Sequence, residues 1–114
     1  MLARQNRLKD KFAFERIKKE GKLWQSESFA LVTLRRGDDE PSRFGFVIST
    51  KISKDASKRN RVKRVLSEAT RHLVAYIKDG FDCLFLAKQI VLRKYADELV
   101  GEVQESLRDA GLLK

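Results

Sequence analysis

The sequence contains very few of the residues that build cross-links, metal centres and rigid turns. Its 114 residues include one cysteine, one histidine and one proline. A single cysteine, Cys83, excludes an internal disulfide, and Cys83 with His72 is too small a set for a Cys/His metal site. None of the six glycines belongs to a GxGxxG or Walker pattern, which excludes a glycine-rich phosphate loop of those types.

Long apolar runs are also missing. Runs such as residues 84–87 are far shorter than the roughly 20 residues that span a bilayer. Residues 1–7 lack the apolar stretch of a secretory signal. We therefore expect a cytoplasmic protein with no membrane partner.

What the sequence has in excess is positive charge. There are 25 lysines and arginines against 16 acidic residues, a net charge of +9, while a hydrophobic content of 42% is enough for a folded core. This length predicts one domain, residues 1–114. The charge is concentrated in residues 1–22, with a net +5, and residues 51–64, with a net +6. Such segregation predicts a face that binds a polyanion, although a solvated helix face would explain the first block equally well.

Hydrophobic periodicity predicts the following elements: helices over residues 9–20, 58–78 and 94–110, strands over 28–35, 44–49 and 81–87, and a weakly signalled strand over 22–25. The short polar connection after residue 35 predicts an antiparallel hairpin of the 28–35 and 44–49 strands. The apolar strand 81–87 is expected at the centre of the sheet. The order αββ(β)αβα indicates an α+β fold, a two-layer sandwich with helices packed on one mostly antiparallel sheet.

Several individual side chains can be placed by the same patterns. Ser57 is expected to cap the central helix, and Phe12 to lie in the core. Tyr76, Tyr95 and Val100 fall on the apolar faces of their helices. The carboxylates expected on a solvated face of the last helix are Asp97, Glu98, Glu102 and Glu105. Cys83 is expected to be a buried small hydrophobe.

The most informative segment is Lys-Arg-Asn-Arg-Val-Lys-Arg at residues 58–64. At about 100° per residue, Asn60, Arg64, Ser67 and Arg71 share one polar face of the helix, flanked by Arg61 and Lys63. The planar guanidinium group of arginine binds phosphate oxygens in pairs and stacks on bases. Because so many cations in the first turns oppose the helix dipole, a polyanionic ligand is the better explanation for them.

The sequence resembles the protein subunit of bacterial ribonuclease P. The resemblance rests on Phe-Gly-Phe-Val-Ile-Ser-Thr-Lys at residues 44–51, on the 58–64 segment followed by Glu68, Ala69 and Arg71, and on the opening Asn6-Arg7-Leu8-Lys9, Phe14 and Gly21-Lys22. It implies an α/β sandwich with a left-handed βαβ crossover. It also implies a role in removing the 5′ leader of precursor tRNA, in which the catalytic RNA and its Mg²⁺ ions carry out the hydrolysis. The protein alone is then expected to hold no cofactor or metal and to supply no catalytic residue.

The resemblance also implies roles for particular residues. Those expected to contact RNA are Arg7, Lys9, Lys51, Lys54, Arg59, Asn60, Arg61, Lys63, Arg64 and Arg71. Phe14 corresponds to an aromatic residue that lines a cleft for the single-stranded leader, and Lys18 and Val32 lie at two further cleft positions. Members of the family often have aromatic residues at those two positions. Ser67, Thr70 and Thr50 also depart from frequent family residues.

Three other functions are compatible with parts of the pattern. A general RNA-binding or ribosomal-type protein would share the basic helix without belonging to an enzyme. A DNA-binding module would need a helix-turn-helix partner upstream, where the sequence predicts a strand, so no DNA partner is expected. A stand-alone nuclease would need a carboxylate cluster or a pair of histidines, which the sequence lacks.

Overall fold

The computed structural model describes residues 2–114, and its elements follow the predicted order. They are α1 (Lys11–Glu20), β1 (Lys22–Gln25), β2 (Phe29–Arg35), β3 (Arg43–Val47), α2 (Ala56–Leu73), β4 (Phe81–Ala87) and α3 (Ala96–Asp109). Short 3-10 turns lie at Arg4–Asn6, Val74–Tyr76 and Gln89–Arg93. The weakly signalled first strand is present, and the α+β class is confirmed.

The four strands form one mixed sheet in the order β1-β2-β4-β3. The pairs β1–β2 and β2–β4 are antiparallel, and β3 runs parallel to β4. The predicted hairpin of β2 and β3 is therefore wrong, because β4 lies between these strands. Cys83 of β4 is aligned with Thr33 on one side and Phe44 on the other. A strand that is apolar on both faces is more favourable at the centre of a sheet than at an edge, and this preference overrides the short connection.

Helices cover both faces of this sheet. Alternate residues of β2 and β4, such as Phe29 and Phe85, pack with α2 and α3, while Val32 and Leu84 pack under α1. The rings of Phe29 and Phe85 meet edge to face at 5.2 Å. Cys83 is fully buried, as predicted, and burial raises the pKa of its thiol.

The start of α2 is fixed by Asp55 rather than by Ser57. The Asp55 carboxylate accepts hydrogen bonds from the Ser57 backbone N–H at 2.9 Å and from the Ser57 hydroxyl at 2.7 Å. The N-cap is therefore two residues earlier than predicted, and Ser57 supports it from the first turn. The helix then reaches Leu73, where the chain tightens into a 3-10 turn.

Several apolar side chains predicted to be buried are exposed. Phe12 is 84% exposed, and Tyr76, Tyr95 and Val100 are exposed as well. Phe12 lies in the first turn of α1 on the side away from the sheet, and Tyr95 precedes the first turn of α3. The periodic pattern identifies a helix face, but at helix ends that face extends beyond the layer it packs against, which accounts for Phe12, Tyr76 and Tyr95. Val100 lies inside α3 and is 40% exposed, one step of the helix from the buried Leu99.

A buried ion cluster holds the start of β4 to the neighbouring strands. Asp82 accepts hydrogen bonds from Arg36 Nη1 at 2.7 Å, and from Arg43 Nε at 2.8 Å and Nη2 at 2.7 Å. The side chains of Asp82 and Arg36 are only 6% and 9% exposed. Hydrogen bonding to Asp82 is the main reason that the pKa of Arg43 is raised.

A basic groove and its neighbouring surfaces

The groove is a concave surface of about 500 Å³ where the N-terminal segment, α1, β3 and α2 meet. Its lining residues are Leu2, Arg7, Leu8, Lys9, Phe14, Phe44, Gly45, Phe46, Asn60, Lys63, Arg64 and Ser67. Its floor is apolar and aromatic, and four of the lining side chains are cationic. The structure thus brings together six of the residues singled out in the sequence: Arg7, Lys9, Phe14, Asn60, Lys63 and Arg64.

One wall of the groove is the segment before α1. The Leu8 backbone N–H donates to the Phe44 carbonyl oxygen at 3.0 Å, so this segment runs along the outer edge of β3. The buried Asn6 side-chain amide donates to the Ser42 carbonyl oxygen at 2.9 Å and anchors the same segment. These bonds hold Arg7 and Lys9 beside the sheet, because the backbone that carries them is fixed.

Phe14 and Gly45 together form the floor. A Cβ atom placed on Gly45 would lie 3.0 Å from both Cε1 and Cζ of the Phe14 ring, and 3.1 Å from Leu84 Cδ1. The missing side chain at position 45 therefore makes the room in which the Phe14 ring lies against β3. Next to it, Phe46 stacks on the core ring of Phe85 with centroids 5.2 Å apart and an interplanar angle of 10°.

The opposite wall is the exposed side of α2. Asn60, Lys63, Arg64 and Ser67 line the groove from successive turns. The buried side of the same helix carries Val62, Leu66 and Ala69, which pack into the core. The amphipathic pattern thus predicted correctly which α2 side chains face outward, and the fold turns most of that polar face toward the floor of β3.

The remaining predicted RNA contacts on α2 lie outside the groove. Arg59 Nη1 donates to the Ser53 carbonyl oxygen at 2.7 Å and braces the loop before the helix. Arg61 Nη2 donates to the Lys94 carbonyl oxygen at 3.3 Å, on the other flank of α2. Arg71 pairs with Glu68 at 2.9 Å. Each of these arginines therefore has a protein partner, although Arg61 and Arg71 remain exposed.

The other predicted positions are divided between surface and core. Lys51 and Lys54 are exposed in the loop between β3 and α2, and Lys18 is exposed one helical turn after Phe14. Val32 is only 5% exposed and packs under α1, in the cluster that contains Ile17. The structure therefore does not bring the Val32 side chain to the groove surface.

An acidic surface lies at the edge formed by β1 and α3. Glu102, predicted to be solvated, instead accepts hydrogen bonds from the hydroxyls of Ser26 at 2.7 Å and Ser28 at 2.6 Å. It also accepts one from the Ser28 backbone N–H at 2.9 Å. Burial works to raise the pKa of Glu102, but the hydrogen bonds from Ser28 and Ser26 outweigh it and hold the pKa below its ordinary value. This carboxylate therefore joins α3 to the start of β2.

Sequence reasoning missed the apolar residues of the groove: Leu2, Leu8, Phe44, Gly45 and Phe46. The alternation Phe-Gly-Phe in β3 was the available signal, because a glycine between two aromatic strand residues indicates a close approach by another group. Within residues 2–114, no helix is long and apolar enough to cross a membrane.

Comparison with known proteins shows one consistent family. The sequence model of the Ribonuclease P family matches residues 2–111. A ribonuclease P protein component from a Synechococcus species is 36% identical, over 99% of this chain and 87% of that protein. One from a Cyanothece species is 30% identical, over 99% of this chain and 98% of that protein. The structure of the RNase P protein from Thermotoga maritima superposes with a TM-score of 0.81 at 29% identity, covering 90% of this chain and 96% of the other.

Proposed function

The chain belongs to the ribonuclease P protein family, and from that premise we propose that its groove binds the single-stranded 5′ leader of precursor tRNA while α2 and the loop before it bind the catalytic RNA. As a family member it is the protein component of a ribonucleoprotein enzyme that processes the 5′ end of tRNA. The observation that carries the proposal is the groove itself, in which cations surround an aromatic floor.

A single RNA strand matches this groove in both shape and chemistry. Unpaired bases stack on aromatic rings, and their phosphates are neutralised by lysine and arginine. Phe14 offers a ring on the floor, with Arg7 and Lys9 on one wall and Lys63 and Arg64 on the other. None of the ion pairs formed among residues 2–114 uses these four cations. Their charge is therefore available for phosphates.

The Asn60 side chain adds a donor and an acceptor to the α2 wall. Such a group can contact a ribose 2′-hydroxyl, which is the feature that distinguishes RNA from DNA at a site. The exposed Lys18 extends the line of charge one turn beyond Phe14. We assign leader binding to Phe14 and the cations around it, with Lys18 as a phosphate contact.

The catalytic RNA is assigned to the remaining exposed cations of α2 and its preceding loop. These are Lys51, Lys54, Arg61 and Arg71, with Arg59 bracing the loop from inside. We assign the hydrolysis to that RNA and its Mg²⁺ ions. The residues of this chain then act by binding and orienting the leader, and by lowering the repulsion between two polyanions so that Mg²⁺ and substrate bind at lower concentrations.

Reconstitution tests the proposal. The protein is mixed with a bacterial ribonuclease P RNA at low Mg²⁺, and cleavage of a leader-bearing precursor tRNA is compared with cleavage by the RNA alone. We expect the protein to accelerate cleavage. A protein that binds the RNA without accelerating cleavage would instead be a general RNA-binding protein, and cleavage by the protein without RNA would contradict the assignment of catalysis.

The chain offers a matched pair of aromatic variants for the leader site. Phe14→Ala removes the ring on the groove floor, while Phe12→Ala removes a ring of the same size that is 84% exposed on the same helix. Loss of one stacked base costs about 1–3 kcal/mol. We expect Phe14→Ala to weaken binding of leader-bearing tRNA but not of mature tRNA, and Phe12→Ala to change neither. Equal losses for both RNAs would show that Phe14 has a structural role instead.

A further inference from the structure

A second concave surface lies on the flank of α2 that faces away from the groove. It has a volume of about 340 Å³ and lies between the first turns of α2 and the segment that enters α3. Its lining residues are Lys58, Arg61, Leu92, Arg93, Lys94 and Tyr95. We call it the α2–α3 notch.

Positive charge dominates the notch. Four of its six lining residues are cationic, and none is acidic. The Lys94 ammonium group is paired with the carboxylates of Glu27 and Glu98. The ion pairs formed within residues 2–114 leave the other three cations unused. The notch therefore has uncompensated charge of one sign.

An exposed aromatic ring stands beside these cations on a fixed backbone. Tyr95 is 74% exposed, yet its backbone N–H donates to Glu98 Oε1 at 3.0 Å. Arg61 Nη2 donates to the neighbouring carbonyl oxygen of Lys94 at 3.3 Å, which holds this guanidinium group on the notch side of α2. An exposed aromatic ring on a fixed backbone, with cations around it that form no ion pair within residues 2–114, is a combination suited to binding single-stranded nucleic acid.

We propose that the α2–α3 notch binds an unpaired nucleotide of the catalytic RNA, with its base stacked on Tyr95 and its flanking phosphates on Arg93 and Lys58. This inference rests on the proposed function, since it gives the RNA subunit a second place of contact. Stacking on Tyr95 requires a base outside a duplex, such as one in a loop or bulge.

The two flanks of α2 explain why the occupant is the RNA subunit rather than the leader. Asn60 and Lys63 line the groove, whereas Lys58 and Arg61 line the notch. A leader strand that lies in the groove would have to cross over α2 to reach Tyr95. A large folded RNA can place separate segments on both sides of one helix.

The experiment measures binding of each variant to a bacterial ribonuclease P RNA without substrate, over a range of salt concentrations. Tyr95→Ala is compared with Tyr95→Phe, which keeps the ring, and with Arg93→Ala. Because Tyr95 is exposed, truncation leaves the core intact. We expect Tyr95→Ala to weaken RNA binding about 5- to 150-fold, Tyr95→Phe to match the wild type, and Arg93→Ala to lower the salt slope by about 0.7–0.9.

A second readout separates this inference from the leader proposal. Each variant is assembled with RNA at saturating protein, and its preference for leader-bearing over mature tRNA is measured. We expect the notch variants to keep the wild-type preference, whereas Phe14→Ala loses it. The inference would be overturned if Tyr95→Ala bound the RNA with an affinity within twofold of the wild type. It would also be overturned if this variant lost its leader preference but kept its RNA affinity. A wild-type protein that binds the RNA but shows no leader preference would refute the groove assignment alone.

Discussion

The arginines around Asp82 and the cations around the groove differ in how completely the protein itself satisfies them. Arg36 and Arg43 give three hydrogen bonds to one buried carboxylate. Lys63 and Arg64 line an open concavity and take part in no ion pair among residues 2–114. The first group joins strands of the sheet, and the second presents its charge to the outside.

The difference shows what distinguishes a structural cation from one that binds a ligand. A buried guanidinium group without a partner is strongly destabilising, so a fold that buries one also supplies its carboxylate. An exposed cation costs little without a partner and can be kept for a polyanion. Charge that remains unpaired in a concave surface with an aromatic floor is therefore the better guide to function than the number of cations.

The largest effect on stability is expected when the buried ion cluster around Asp82 is broken. Asp82→Asn removes the charge that Arg36 and Arg43 share, and breaking a buried pair costs about 3–5 kcal/mol. Chemical denaturation would measure the loss in the free energy of unfolding. Asp38→Asn is the matched control, because Asp38 also pairs with Arg36 but is 44% exposed, and it should lower the free energy of unfolding much less than Asp82→Asn does. Equal losses of unfolding free energy in the two variants would contradict the distinction between buried and exposed ion pairs.

A smaller effect is expected at the groove floor. Gly45→Ala places a methyl group 3.0 Å from the Phe14 ring, and overpacking of this kind costs about 1–3 kcal/mol. We expect a loss of stability together with a weaker preference for leader-bearing tRNA. Gly101→Ala is the control, since a Cβ there meets no atom within 4 Å and a helical alanine should stabilise α3. A Gly45→Ala variant that keeps full leader preference would show that the ring position is not critical.

Removing a groove cation that forms no ion pair within residues 2–114 should weaken RNA binding and leave the free energy of unfolding almost unchanged. Arg64→Ala is expected to change the free energy of unfolding by about 0.5 kcal/mol or less. It should lower the slope of log affinity against log salt by about one unit if Arg64 neutralises one phosphate. Arg108→Ala, at an exposed position near the end of α3, provides the comparison and should leave the slope intact. A large loss of stability in Arg64→Ala would place this arginine with the structural group.

The smallest effect concerns the acidic surface and its pH dependence. The pKa of Glu102 is lowered in the folded protein relative to 4.5, so the stability it contributes is complete above about pH 4.5 and is lost as the pH falls through the folded-state value. The melting temperature, measured from neutral to acidic pH, should fall less steeply for Glu102→Gln than for the wild type. Identical pH profiles would show that Ser26 and Ser28 do not depend on the ionised carboxylate.

Much of the fold could be predicted because periodicity reports local environment directly. Strand β4 was predicted with correct bounds, and its apolar character on both faces indicated a central position. The pairing of β2 with β3 was predicted wrongly because a short connection is a local signal. Residues 81–87 enter the sheet between these strands only after α2 has returned the chain to it.

The site was predictable on α2 and less so elsewhere. The helical pattern placed Asn60 and Arg64 on one outward face, which the groove confirms. Helical periodicity alone does not separate Phe12 from Phe14, because both lie in an amphipathic helix. The family resemblance pointed to Phe14, and the close approach of its ring to Gly45 in β3 is the physical reason. Likewise, Arg36 and Arg43 look like further basic residues until Asp82, distant in sequence, is placed between them.

The position of β4 also dictates when the groove can exist during synthesis of the chain. Strand β3 is translated well before β4, which is its parallel neighbour in the sheet. Non-local strand pairings of this kind form late, because their loop must close before any contact is gained. Until β4 is in place, β3 lacks its neighbour in the four-stranded sheet, and the groove floor is not held opposite α2. The leader binding proposed above therefore depends on β4 having joined the sheet, although β4 contributes no residue to the groove lining.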